Sequence, residues 1–211
     1  MEIHHISPAH LTIDRVEEIL EKKMHLALSE EAKTRIIKCR EYLDEKSRNP
    51  EKPIYGVTTG FGSLCNISIS DDQLAALQKN LTMSHACNIG DKVRPEIVKI
   101  MLLNKIQSLS YGHSGVQLET VERLIDFFNM DILPVVYKLG SLGASGDLAP
   151  LANMCLPLLG LGEVDYQGET MPAERMLELT GMKPIELKSK EGLALLNGTQ
   201  FMSSHGVWAI I

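Results

Sequence analysis

The sequence predicts a mainly α-helical fold with small β segments, and three patterns support this prediction. Apolar residues recur at helical spacing through most of the chain. Residues that cap or begin helices precede several of these stretches, and Gly or Pro follows them. A strand-like pattern is confined to Glu163–Glu169, which predicts a hairpin with its turn near Gln167-Gly168. We therefore expect helices to form the core.

Several predicted helices begin at a recognisable signal. Thr12 and Ser29 suit the caps of the first two helices. The S-x-x-Q pattern that starts at Ser70 is a capping box, and Pro95 suits the first position of a further helix. The predicted helices span 12–22, 30–46, 70–86, 95–111, 119–130, 148–159, 172–179 and 190–211, the last with a break at 197–198. Residues 54–69 are rich in glycine and serine, which predicts an irregular loop.

One predicted helix stands out by its lack of charge. Between Ile97 and Leu109 the only charged residues are Lys99 and Lys105. A helix that is apolar on nearly all sides is typical of the centre of a core. We therefore expect this helix to be buried almost completely.

Length and composition indicate a globular protein and exclude several other classes. The chain has 211 residues, of which 44% are hydrophobic and 23% charged, and its net charge is −6. An acidic chain argues against nucleic acid as the main partner, because phosphate binding needs a basic surface. No apolar stretch reaches membrane-spanning length and no signal peptide is recognisable. We therefore expect a cytoplasmic protein without a membrane partner.

The cysteines, the histidines and the end of the chain support further expectations. The four cysteines, Cys39, Cys65, Cys87 and Cys155, share no C-x-x-C spacing, which is typical of buried reduced thiols. The histidines show no metal-ligand spacing, so we expect no metal. Residues 201–211 are apolar and periodic without a stop signal, which predicts that the chain is part of a longer protein.

The most unusual segment is glycine-rich and runs from Gly140 to Asp147. It lacks the lysine of a P-loop and the pattern of a nucleophile elbow. One interpretation is a turn into a helix capped by Asp147. In the other, the unhindered Gly146 nitrogen attacks the Ala144 carbonyl and closes a five-membered ring. Loss of water from the ring and from the Ser145 side chain then leaves an electrophilic methylidene group.

Three further segments hold candidate functional side chains. Tyr55, in Y-G-V-T-T-G-F-G, is either a packed aromatic residue or a base at a gated site. His85 follows three leucines at helical spacing, so it is either a satisfied core histidine or a functional group on an apolar face. Asn197, in the segment that starts at Glu191, is either a local helix cap or a polar group of a site.

Together these segments resemble the signatures of the aromatic amino acid ammonia-lyases, in the order in which that family carries them. G-A-S-G-D-L-A-P-L at 143–151 resembles the segment that forms the family's 4-methylidene-imidazol-5-one group, abbreviated MIO. The runs at 55–62 and 191–199 resemble its catalytic tyrosine loop and its asparagine segment. The resemblance implies that 1–211 is the N-terminal MIO-forming domain of the aspartase/fumarase-like lyase fold, without the C-terminal helical part.

The resemblance also implies a role for each site residue. Residues 144–146 would form MIO, which captures the substrate amine, and Tyr55 would take the β-proton. His85 would contact the substrate side chain, and Asn197 would position the MIO carbonyl or the substrate. The resemblance implies no metal, no diffusible cofactor and a homotetramer whose sites combine several subunits. The residues that complete the site lie beyond this chain, so we expect the chain alone to be inactive.

The expected substrate follows from finer similarities within the family. Ser84-His85 and the N-G-T-Q run that starts at Asn197 are similar to the members that act on histidine. Thr58 departs from many of those members, and G-H-S-G-V at 112–116 resembles the phenylalanine and tyrosine group. We expect elimination of ammonia from L-histidine to give trans-urocanate, the first step of histidine degradation. Tyrosine elimination or an aminomutase is one alternative, and a non-catalytic folded fragment or pseudo-enzyme is another.

Overall fold

Helices dominate the computed structural model, which describes residues 2–48, 54, 57, 59, 73–141 and 147–211. The helices are α1 (Ile13–Glu21), α2 (Glu30–Arg48), α3 (Leu74–His85), α4 (Pro95–Ser110), α5 (Leu118–Asn129), α6 (Leu148–Cys155), α7 (Ala173–Thr180), α8 (Glu191–Leu196) and α9 (Gln200–Ile210). The strands are β1 (Ile3–Ile6), β2 (His25–Leu28), β3 (Ile89–Lys92), β4 (Leu133–Pro134), β5 (Tyr137–Leu139), β6 (Glu163–Tyr166) and β7 (Glu169–Pro172). This arrangement confirms the predicted fold class.

The strands form small, separate sheets. β1 and β2 pair in parallel, β3 pairs antiparallel with β5, and β4, β6 and β7 form a three-stranded antiparallel sheet. The predicted hairpin is confirmed as β6 and β7, and its turn residues Gln167 and Gly168 both have positive φ angles, 52° and 84°. Positive φ at both central positions is what a type I′ hairpin turn requires. The other strands were not predicted, because they are short and do not alternate clearly.

The core is built around α4, which packs against α2, α5 and α9. Pro95 occupies its first position, as predicted, and eleven of its sixteen residues are buried. Its two lysines differ. Lys99 reaches the surface, where it forms an ion pair with Asp131 and lies over the Phe128 ring. Lys105 is only 1% exposed, so a charged side chain lies inside the core.

The predicted helix signals at Thr12, Ser29, Pro157 and Gly181 are confirmed. The Thr12 and Ser29 hydroxyl groups each accept a hydrogen bond from the backbone amide three residues later, at 3.3 and 3.1 Å. α6 changes at its end into a 3₁₀ turn over Leu156–Leu159, which contains Pro157. α7 ends at Gly181, which has a φ of 70°. The proposed cap at Ser70 lies outside the described residues.

Two expectations about burial are wrong. On α3 the most deeply buried side chains are the polar Gln78 and Thr82, whereas the leucines that precede His85 are only half-buried. The apolar stripe therefore flanks the inward face, and α3 turns hydrogen-bonding groups towards its neighbours. Cys155 is buried, but Cys39 is half-buried and Cys87 is exposed; these three thiols are free, and Cys65 lies outside the described residues.

No helix in the part of the chain that the structure describes is both long enough and apolar enough to cross a membrane.

Candidate active site

The described residues define the frame of the predicted site. Tyr55, Ala144, Ser145 and Gly146 lie outside them, while His85, Asn197 and both flanks of the glycine-rich segment lie inside. Three elements therefore fix the frame: the ends of that segment, α3 with His85, and the α8–α9 turn with Asn197.

Asp147 connects the end of the glycine-rich segment to α9. It is 2% exposed, and its Oδ2 accepts a hydrogen bond from the Met202 backbone amide at 3.1 Å. Met202 lies in the first turn of α9, where backbone amides have no partner within the helix. The expectation that Asp147 caps α6 is therefore wrong: its side chain makes no capping bond to α6 and instead caps the distant helix.

The environment of the Asp147 carboxyl combines opposing effects. Burial raises its pKa, while the backbone amides of Met202 and Phe201 and the positive charges of His205 and Lys105 lower it; the net result is a raised pKa. The N-terminus of α9 favours the charged carboxylate, because the helix dipole is positive there. The hydrogen bond to α9 thus compensates part of the cost of burying the carboxyl group.

The other flank of the segment is held by two asparagines. Asn88 donates from Nδ2 to the Tyr137 carbonyl at 2.9 Å, and Asn153 of α6 donates to the Asn88 side-chain oxygen at 2.9 Å. Gly140 passes so close that a Cβ there would lie 3.0 Å from the Asn88 Cα, and its φ is 127°. Glycine is therefore needed at the position where the chain leaves β5 and enters the segment.

His85 presents one ring nitrogen to its own helix. Nδ1 lies 2.9 Å from the Leu81 carbonyl and 3.1 Å from the Ser84 hydroxyl. Because a carbonyl oxygen only accepts, Nδ1 carries the proton in the neutral ring, and Nε2 is left with a lone pair. The side chain is half-buried at the end of α3. His85 can therefore accept a hydrogen bond from a polar ligand.

Asn197 lies in the turn between α8 and α9, and it is exposed. The next residue, Gly198, has a φ of 153°, and a Cβ there would overlap the Gln200 side chain. From α4, the Lys105 ammonium donates to the Ala194 and Asn197 carbonyls at 3.3 and 3.2 Å. The backbone of this turn is thus held by a buried cation, while Asn197 itself remains exposed.

The N-terminal end of α8 is anchored by a buried carboxylate. Glu191 is 0% exposed and accepts four hydrogen bonds, from the Gln117 amide and side chain, the Thr120 hydroxyl and the Lys188 amide, at 2.7–2.8 Å. Gln78 of α3 accepts a further bond from the Gly192 amide at 2.9 Å. These contacts connect α8 to α5 and to the helix that carries His85.

The frame suits the MIO group that the sequence predicts. The N-termini of α6 and α9 meet at Asp147, immediately after residues 142–146. Helix N-termini favour negative charge, which a ring that withdraws electrons would accumulate. On the other flank, the Ser141 hydroxyl is buried and has no hydrogen-bond partner among the described residues.

Four residues of this frame were missed as functional candidates: Gln78, Lys105, Asp147 in its link to α9, and Glu191. A signal was present for Lys105, because a lone charge deep in an apolar helix needs partners. Glu191 gave no signal, since glutamate is ordinary at the start of a helix. Within the described ranges, no group of three or more His, Cys, Asp or Glu side chains is placed to hold a metal ion.

Comparisons with known proteins agree with this geometry. A sequence model of the family described as "Aromatic amino acid lyase" matches residues 11–211. The histidine ammonia-lyase of Symbiobacterium thermophilum is 46% identical over 198 residues, which are 94% of this chain and 39% of that protein. The chain thus spans about two fifths of that relative's length.

Solved structures share the fold. Histidine ammonia-lyase from Trypanosoma cruzi superposes with a TM-score of 0.88 at 35% identity, and the match covers 100% of this chain and 40% of that one. Tyrosine aminomutase from Streptomyces globisporus superposes with a TM-score of 0.90 at 30% identity, and the match covers 100% and 39%. Because the family model covers nearly the whole sequence, this chain belongs to the aromatic amino acid lyase family.

Proposed function

We propose that residues 1–211 are the N-terminal, electrophile-forming domain of a histidine ammonia-lyase, which converts L-histidine into trans-urocanate and ammonia. The observation that carries the proposal is the contact between Asp147 and Met202. It joins the end of the predicted ring-forming segment to the helix that follows the Asn197 turn. The 46% identity to a histidine ammonia-lyase supports the choice of substrate.

The reaction makes two demands. A weakly acidic hydrogen must leave the β-carbon, and the poor leaving group ammonia must depart from the α-carbon. The MIO group that Ala144, Ser145 and Gly146 would form supplies an electrophilic carbon that makes the amine a better leaving group. Tyr55 accepts the β-proton, the electrons of that C–H bond form the double bond, and the carbon–nitrogen bond breaks.

The polar side chains of the frame bind and orient the substrate. The free Nε2 lone pair of His85 accepts a hydrogen bond from the N–H of the substrate imidazole. The Asn197 amide hydrogen-bonds to the ring carbonyl or the substrate and stabilises the negative charge that develops. No metal and no diffusible cofactor take part in this proposal.

The complete enzyme needs more than this chain. We propose a cytoplasmic homotetramer in which other parts of the subunit and its neighbours complete each active site. On this proposal the 211-residue chain alone does not turn over substrate. Size-exclusion chromatography with light scattering on the full-length protein tests the tetramer, and a monomer that is active would contradict it.

The test of the function is an assay of the full-length protein with L-histidine, L-tyrosine and L-phenylalanine. We expect trans-urocanate from histidine and much slower reaction with the other two. Ser145→Ala should abolish ring formation and turnover, whereas Tyr55→Phe should keep the ring and lose elimination. Histidine turnover that persists in Ser145→Ala would contradict the proposal.

An aminomutase is the second candidate, because tyrosine aminomutase shares the fold with a TM-score of 0.90. Its sequence identity of 30% is lower than the 46% found with the histidine enzyme, so elimination from histidine is preferred. The same assay separates the two, since an aminomutase would convert tyrosine into its β-amino isomer.

A further inference from the structure

Lys105 is a buried cation whose contacts lie on the turn that carries Asn197. The side chain extends from the middle of α4, and the residue is 1% exposed. Its ammonium group donates to the Ala194 carbonyl at 3.3 Å and to the Asn197 carbonyl at 3.2 Å. Both acceptors belong to the C-terminal end of α8, where carbonyl groups lack partners within the helix.

The hydrogen bonds from Lys105 fix the position of a turn whose local sequence would leave it mobile. Gly198 follows Asn197 directly, and glycine restricts the backbone least of all residues. α8 is only one and a half turns long, so its own hydrogen bonds hold its end weakly. The Lys105 ammonium lies at the negative end of the α8 dipole and donates hydrogen bonds to both carbonyl groups.

The charges around the ammonium favour its protonated form, although burial opposes it. Burial lowers the pKa of Lys105 to about 8, and Cys155 and Asp147 act in the opposite direction. Since burial also raises the pKa of the Cys155 thiol to about 12, that thiol is uncharged at neutral pH. The negative charge that raises the pKa of Lys105 then comes from Asp147, at the end of the glycine-rich segment.

We propose that Lys105 is a positioning residue that holds the Asn197 turn at the end of α8 and so fixes the position of the Asn197 side chain for the reaction. This inference rests on the proposed function, because it assigns Asn197 a role in the reaction. In this proposal Lys105 acts through the backbone of the turn and not on the reacting atoms.

The test uses the full-length enzyme and a double-mutant cycle. Lys105→Met keeps the length of the side chain and removes its donors. We expect its kcat to fall about 10- to 100-fold, the effect of a misplaced active-site group. In an Asn197→Ala background the same change should cost little, because the side chain that Lys105 positions is gone. Equal losses in both backgrounds would overturn the proposal.

A second readout does not depend on activity. Hydrogen–deuterium exchange of the peptide 193–200 should become about tenfold faster in Lys105→Met, since the turn loses hydrogen bonds. Lys99→Met is the matched control: it removes a cation from the same helix, near the surface, and should leave exchange and kcat unchanged. Identical exchange in Lys105→Met and the wild type would overturn the proposal.

A second variant is available if Lys105→Met does not fold. Lys105→Gln retains one donor group and can replace Lys105→Met in the double-mutant cycle and in the exchange experiment. The same outcomes then support or overturn the proposal. If the wild-type enzyme does not convert histidine, the proposed function fails, while the exchange of peptide 193–200 still decides whether Lys105 holds the turn.

Discussion

The Asp147 carboxylate accepts a hydrogen bond from the Met202 backbone amide at 3.1 Å, across 55 positions of sequence. This bond fixes the start of α6 relative to the start of α9. It thereby connects the residue that follows the predicted ring-forming segment to the helix that follows the Asn197 turn.

Loss of the Asp147 side chain should destabilise the chain through α9. Asp147→Ala leaves the first-turn amides of α9 without their buried acceptor, and we expect a loss of about 1–2 kcal/mol in unfolding free energy. Asp147→Asn keeps an acceptor oxygen and should lose less. Urea unfolding of both variants measures this difference, and equal losses would show that the hydrogen bond to α9 contributes nothing.

Replacement of Glu191 by glutamine should be costly despite the similar shape. Each carboxylate oxygen accepts two hydrogen bonds. In one orientation the glutamine NH₂ group faces the Gln117 side-chain amide and the Lys188 amide, and in the other it faces the Gln117 backbone amide and the Thr120 hydroxyl, which can turn to accept. At least one N–H donor therefore loses its acceptor in either orientation, and we expect a loss of about 1–3 kcal/mol in unfolding free energy. Glu186→Gln, at an exposed position five residues earlier, is the control and should be neutral. Thermal and urea unfolding measure the stability of both variants. An unchanged unfolding free energy in Glu191→Gln would show that the four hydrogen bonds add no stability.

The buried ammonium of Lys105 should make stability depend on alkaline pH. Its pKa is about 8 in the folded protein against 10.5 ordinarily, so between these values the unfolded chain binds a proton that the folded chain does not. Stability linked to Lys105 therefore rises as the pH increases from about 8 to 10.5, by about 3 kcal/mol.

Cys155 acts in the opposite sense, because burial raises its pKa from 9.0 to about 12 and stability is lost above pH 9. The measurement is therefore the difference in unfolding free energy between the wild type and Lys105→Met across this range. The unfolding free energy of the wild type should increase relative to that of Lys105→Met as the pH rises. Parallel curves, like those expected for Lys99→Met, would contradict the assignment.

His85 should control which amino acid the full-length enzyme accepts. His85→Phe replaces the free Nε2 lone pair by an apolar ring, so we expect weaker use of histidine and better use of phenylalanine. The change in the ratio of kcat/KM for the two substrates is the measurement. An unchanged ratio would remove His85 from substrate recognition.

Much of the fold could be predicted from local signals in the sequence. The caps at Thr12 and Ser29, the proline at the start of α4 and the glycine that ends α7 act within a few residues of their position. The parallel pairing of β1 with β2 could not be predicted, because two four-residue strands separated by a helix carry no periodic signal. The polar inward face of α3 was missed for a related reason, since its partners lie on distant helices.

The site could be predicted as a set of residue types and not as a geometry. The ring closure proposed for Ala144, Ser145 and Gly146 is an expectation that rests on the residue types alone. The partner of Asp147 lies 55 positions away, those of Lys105 lie 89 and 92 positions away, and those of Glu191 other than Lys188 lie 71–74 positions away. Only the folded chain reveals these distant partners. Long-range hydrogen bonds of buried groups leave no pattern in neighbouring residues.

The most direct test of the central claim is the mass of the proteolytic peptide that spans Ser145, taken from the full-length protein. We expect a mass lower by two water molecules than that of the encoded sequence, and no such loss in Ser145→Ala. The encoded mass in the wild-type peptide would contradict the proposed function, because the electrophile on which the lyase reaction depends would not have formed.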